Sequence, residues 1–203
     1  MIETSTAPRT RAVAKFWRPI PGQAQYSRAQ RLCRALFGRA PRPRVRPDGS
    51  LVGFELATER VMENLVLTAG KNDLLDKYLS GSAYTAAWFA GLISSVSYSA
   101  IAAADTAASH AGWTEAGATN APNYTGNRPA ITFAAASGGV KASSSIPTVT
   151  FTNSGTVKGL FLSTIVTKDT TTGLIYSAGL FTAGDAPVAN GYVMTLTYSA
   201  TQT

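Results

Sequence analysis

Between residues 131 and 198 the chain repeats one arrangement, a short run rich in Thr, Val, Ile, Phe and Tyr followed by turn-forming residues. The runs fall at 131–136, 148–152, 157–166, 174–182 and 192–198. Their separators are Gly138-Gly139, Asn153-Ser154-Gly155, the stretch 168–173 and Ala183-Gly184-Asp185. β-Branched and aromatic side chains suit a pleated, half-covered surface, and Gly, Asn and Asp accept the backbone angles of tight turns. The run at 192–198 alternates in hydropathy with a period of two, as a strand with one covered face requires. Earlier runs at 51–56 and 61–67 also read as strands. The apolar stretch 84–93, carrying Trp88, reads as a buried central strand and is far short of the ~20 residues that span a bilayer. Seven to nine strands at this spacing argue a mainly β fold, an antiparallel β-sandwich or jelly roll. One or two short helices interrupt it. Thr68 caps the first, over 69–79, with Leu74, Leu75, Tyr78 and Leu79 as its apolar stripe and Gly81 as its stop. The second runs from Asp105 to His110 and ends at Gly112.

Composition limits the chemistry. Ala, Thr, Ser and Gly supply 94 of 203 residues, and charged residues are only 14%, against about 25% in an ordinary soluble domain. One His and one Cys exclude a His/Cys zinc cage, a disulfide framework and a redox cysteine pair. A serine hydrolase would have to draw its base from His110 alone.

Charge divides the chain. Residues 1–47 hold eleven Lys and Arg against one acid, Glu3, whereas residues 48–203 hold seven against ten acids. The sequence therefore reads as two parts: residues 1–50, an extended basic N-terminal arm, and residues 51–203, the β domain. Prolines at 8, 19, 21, 41, 43 and 47 break the arm. One helix fits between them, with Ser27 as cap, Leu32, Ala35 and Leu36 on one face, and Gly38 as stop. An acidic partner is expected to meet Arg9, Arg11, Lys15, Arg18, Arg28, Arg31, Arg34, Arg42, Arg44 and Arg46, with Phe16 and Trp17 as apolar anchors. Residues 1–25 lack the apolar core of a secretory signal and are closer in composition to an organelle presequence. We read them as part of an arm held by a neighbouring subunit. Contact between the arm and DNA is a second, weaker expectation, because cations alone bind phosphate without reading sequence.

No catalytic constellation emerges. Asp105 precedes His110 by five residues, but no nucleophile-elbow sequence accompanies them. Asp73 with Asp76, and Glu59 with Glu63, have the spacing of paired carboxylates on a helix; such pairs more commonly serve structure. Cys33 has no nearby His. Gly138-Gly139 and Gly184 are hairpin glycines, since no phosphate-cradling motif occurs. Asp105, Asp169 and Asp185 lack the spacing of a calcium loop. The expectation is a non-enzyme with no cofactor and no metal.

Several strings carry a resemblance: GKNDLLDKY at 70–78, GSAYTAAW at 81–88, HAGWTE at 110–115, Asn127-Arg128-Pro129, and IYSAG at 175–179. Across residues 60–203 the sequence resembles small structural proteins encoded among the virion genes of tailed bacteriophages. The resemblance implies a jelly-roll cement or decoration subunit of the capsid, with the major capsid protein or other virion subunits as partners. It implies location in the virion, assembled in the bacterial host cytoplasm, and no membrane. A homo-oligomer, dimer or trimer, is expected. The alternative is a tail or fibre component that recognises a host glycan through exposed aromatics such as Tyr124. The resemblance does not extend to the arm, so nothing about the arm's contacts follows from it.

Overall fold

A computed structural model describes residues 9–22, 43–79 and 87–201. The fold is mainly β, with strands paired antiparallel. The strands are β1 (Arg9–Pro19), β2 (Phe54–Val66), β3 (Trp88–Ser94), β4 (Glu115–Ala116), β5 (Ala130–Ile131), β6 (Val140–Ala142), β7 (Thr148–Thr150), β8 (Gly155–Ser163), β9 (Ile175–Leu180), β10 (Ala186–Val188) and β11 (Val193–Thr201). Among the described residues there is one helix, α1 (Thr68–Leu79). The hydrogen-bonded order is β4-β3-β8-β9-β2-β1-β11-β6, with β5 on β3, β10 on β8 and β7 on β11. Strand β2 is long enough to serve two neighbours, pairing with β1 over most of its length and with β9 at Leu65 and Val66.

Period-two patterning explains the strands. In β11 both faces are covered from Val193 to Leu196, with Val193 and Thr195 against Trp17, and the alternation shows only at Thr197, which faces out, and Tyr198, which is buried. Just before β6 the chain reverses through Gly138-Gly139, where Ser137 and Val140 exchange backbone bonds of 2.9 and 3.0 Å. Both glycines have positive φ, 58° and 75°, which is the two-residue hairpin geometry that residues with a Cβ resist. Phe16, Phe151 and Phe181 meet in the main core, the first two rings stacked at 6.3 Å and the first and third edge-on at 5.9 Å.

Three expectations are corrected here. The strands read separately at 51–56 and 61–67 are one, β2. No helix forms at 105–110: the Asp105 carboxylate turns back to accept the Ala102 N–H at 2.9 Å instead of capping forward. The largest correction concerns the arm. Residues 9–19 are β1, an interior strand between β2 and β11, so the boundary drawn at residue 50 does not separate an arm from a body over this stretch. Thr10, Ala12, Ala14 and Phe16 point inward and are buried. The helix expected at 27–38, Cys33, Gly81 and Tyr84 lie outside the described residues.

Candidate interaction surface

The outward face of β1 carries some of the cations assigned to a partner, and the fold gives Lys15 and Arg18 an internal one. Arg11 lies directly opposite Glu63 on β2, Lys15 opposite Glu59, and Arg18 opposite Glu55. Lys15 Nζ is 3.4 Å from Glu59, and Arg18 Nε donates to Glu55 Oε1 at 2.6 Å. The register shifts by one between Phe16 and Trp17, where Ala57 of β2 is skipped. Without that bulge Arg18 would face Leu56. These pairs are solvated, and each contributes about 0–1 kcal/mol. A shallow groove of about 300 Å³ crosses this face between Arg11, Lys15, Glu59, Thr195 and Ile146.

Phe16 and Trp17, read as anchors for a partner, are anchors for the chain's own core. Phe16 is fully buried. Trp17 packs with Leu51, Phe54 and Val193, and its indole N–H donates to Thr195 Oγ1 at 3.1 Å. Strand β1 alternates small inward residues with long outward ones, so its charges stay wet while its apolar face closes.

The connection from β1 to β2 has a different character. Pro19 pairs with Phe54 and the Ile20 N–H donates to the Gly53 carbonyl, so the two strands are already neighbours where the connection begins and ends. Two residues would suffice to turn the chain there. The sequence uses the 34 residues 20–53. They hold Arg28, Arg31, Arg34, Arg39, Arg42, Arg44 and Arg46 against one acid, Asp48. Arg28, Arg31, Arg34, Arg39 and Arg42 lie outside the described residues. Arg44 and Arg46 are exposed on a small hairpin closed by Arg46 N–H to Ser50 O at 2.8 Å and Val52 N–H to Arg44 O at 3.1 Å. Asp48 is occupied within that hairpin. The Ser50 hydroxyl at 2.7 Å and the Ser50 N–H at 2.9 Å hold its carboxyl below the ordinary value.

The remaining ionisable groups are mostly tied into structure. Glu115 and Arg128 form a buried, bidentate pair with both contacts at 2.7 Å. Arg128 also donates to Ser163 Oγ at 3.1 Å and Ile165 O at 2.9 Å, and Glu115 accepts the Asp169 N–H at 2.6 Å. The guanidinium lies 5.0 Å from the Phe161 ring. Lys168 Nζ donates to the carbonyls of Gly117 and Tyr124 at 2.5 and 2.9 Å and sits 3.9 Å from the Tyr124 ring; burial lowers its pKa. His110 donates Nδ1–H to the Trp113 carbonyl at 3.0 Å and stacks on that indole at 4.2 Å. Asp105 accepts the Trp113 indole N–H at 2.8 Å. The two residues read as a possible dyad therefore hold different atoms of one tryptophan. Asp73 pairs with Lys77 at 2.8 Å, one helical turn on, while Asp76 is exposed. Glu59 and Glu63 lie on a strand, not a helix, and face the β1 cations. Tyr124, named as an exposed aromatic, is 4% exposed, so it cannot line a surface groove. Among the described residues no cluster of three or more His, Cys, Asp or Glu is placed to hold a metal ion, and no helix is long and apolar enough to cross a membrane.

A second surface feature lay outside the expectations. Helix α1 turns Gly70 onto β9, where a Cβ would strike the Tyr176 carbonyl. Beside it runs an apolar groove of about 450 Å³, walled by Leu74, Trp88, Phe133, Leu162 and Tyr176. The stripe Leu74, Leu75 and Leu79, expected to face the core, faces outward instead. No family model matches the sequence, and no curated protein matches it.

Proposed function

We propose that this chain is a non-enzymatic virion structural protein of a tailed bacteriophage, a capsid cement or decoration subunit. Its antiparallel sheet serves as a jelly-roll body seated on the head shell, and the β1–β2 connection grips acidic surface on the major capsid protein. The observation that carries the reading is that connection. Adjacent antiparallel strands are joined by 34 residues bearing seven arginines and a single, internally bonded acid. Long connections without need in the fold are characteristically functional. Arginine is suited to gripping carboxylates through paired hydrogen bonds. A strap linked to a folded body multiplies weak contacts into avidity.

The strings that carry the phage resemblance fit the same reading. Gly70 seats α1 on β9, Trp113 fixes Asp105 and His110, and Glu115 binds Arg128. Each maintains packing, as expected where a scaffold is shared and no reaction is.

The test is to replace residues 23–42 with a short Gly/Ser linker and co-express the variant with the major capsid protein. The wild-type chain is expected to co-purify with head particles and to be labelled on the head by gold-coupled antibody. The linker variant is expected to fold yet stay off particles. Normal incorporation of the variant overturns the role of the connection. Label on the tail favours the tail or fibre alternative, and tight, salt-sensitive binding of the wild type to DNA favours the nucleic-acid one.

A further inference from the structure

Strand β1 fills a slot between β2 and β11. Arg9 to Trp17 pair with residues 193–201 on one side, and Thr10 to Pro19 pair with residues 54–64 on the other. Its inward Ala12, Ala14 and Phe16 are at most 1% exposed, so an empty slot would bare the main core. Its outward Lys15 and Arg18 meet Glu59 and Glu55. The slot therefore selects this one strand by shape, register and charge, whichever copy of the chain supplies it.

The connection leaves that choice open. Its near end belongs to the slot, because the Ile20 N–H donates to the Gly53 carbonyl at 3.0 Å. Its far end belongs to β2, because Val52 and Arg44 close a hairpin directly before that strand. Between these ends lie residues 23–42, where two residues would join adjacent antiparallel strands. Fully extended, a stretch of that length reaches about 70 Å, against about 40 Å for the breadth of a domain of this size.

We propose that the slot between β2 and β11 is also the acceptor for β1 of a second copy, so that two copies lock together by exchanging their first strands. The exchange is reciprocal about a two-fold axis and leaves neither slot empty. The contacts within each slot are the same in the closed and the exchanged forms, so concentration tips the balance. A tethered strand sits near its own slot at an effective concentration of roughly millimolar. Dilute protein is closed, and copies that fold side by side near that concentration exchange. Nothing in this depends on the virion reading.

Exchange is tested on the full-length chain with its single cysteine replaced, Cys33→Ser. Val13 and Thr197 are opposed in the register of β1 and β11, a separation that a disulfide spans. Single variants Val13→Cys and Thr197→Cys are denatured, mixed and refolded together at about 500 micromolar, near the tethered concentration. On oxidation the mixed disulfide between positions 13 and 197 is expected to outnumber each homodisulfide by about tenfold or more, where random collision gives about twofold. The double variant, oxidised while dilute, locks β1 in its own slot. It is expected to stay monomeric through the same refolding by sedimentation velocity, and to form dimers when reductant frees the strand. Monomer alone in the reduced, concentrated sample overturns the proposal. So does a dimer of the locked protein, or a mixed disulfide at only the random proportion.

Discussion

Arg128 and Glu115 keep their charges inside the protein because the geometry leaves little unmet. The carboxylate takes two guanidinium bonds and a backbone N–H, and the guanidinium reaches a hydroxyl and a carbonyl besides. Removing one partner strands the other. Arg128→Met and Glu115→Gln are each expected to lower the unfolding free energy by about 3–5 kcal/mol, read from the urea midpoint at neutral pH. Trp17→Ala is expected to cost about 3–5 kcal/mol by emptying its site between Leu51 and Phe54. That loss should appear in the free protein, which separates a core role from a docking one. Tyr124 behaves differently. Its hydroxyl is buried with no hydrogen-bond partner, so Tyr124→Phe removes an unmet polar group and is expected to be neutral or stabilising by thermal melt.

At the level of elements, β1 and the connection that follows it should separate cleanly. Deleting residues 9–19 removes the strand between β2 and β11 and is expected to abolish the cooperative thermal transition seen by circular dichroism. Replacing residues 23–42 with a Gly/Ser linker is expected to leave the melting temperature within a few degrees, since loop-closure entropy depends only weakly on length. Strands β3, β8, β9 and β11 and helix α1 were legible because each is long enough, or apolar enough, to show its period, and β7 because it lies in the run 148–152 set off by turn residues. Strands β4, β5, β6 and β10 have two or three residues each, and so short a run has no period to read. Strand β1 was hidden by its charge. Summed over 1–47 the cations suggest a tail, but Thr10, Ala12, Ala14 and Phe16 alternate with Arg11, Val13 and Lys15. Acids at 55, 59 and 63 stand ready to face them in an antiparallel register. The outward turn of α1 could not be read at all, because an apolar stripe says that a face is covered without saying by which molecule. The same holds for the candidate site: the run of arginines was visible, but only the pairing of Pro19 with Phe54 identifies it as an insert between strands.

Across the whole molecule, the buried phenols give stability a pH dependence at the alkaline end. Burial raises the pKa values of Tyr124, Tyr176 and Tyr198 above the ordinary 10.0. Their stabilising contribution is full below pH 10 and is lost progressively above it, because the unfolded chain releases phenolic protons that the folded chain retains. Lys168 works the other way: burial lowers its pKa below 10.5, so its charged form is relieved as pH rises. Three phenols against one ammonium predict a net fall in the urea midpoint above pH 10, and Tyr124→Phe should make that fall shallower. The position of β1 has a further consequence. Arg9 stands beside Thr201, and Trp17 beside Val193, so β1 must wait for one flank until residues 193–201 have been made. During that interval β1 has β2 alone as a strand neighbour. The nascent chain is then a half-closed sheet with an unfilled slot, which chaperones can occupy and which a ribosome stalled shortly before residue 193 would hold open.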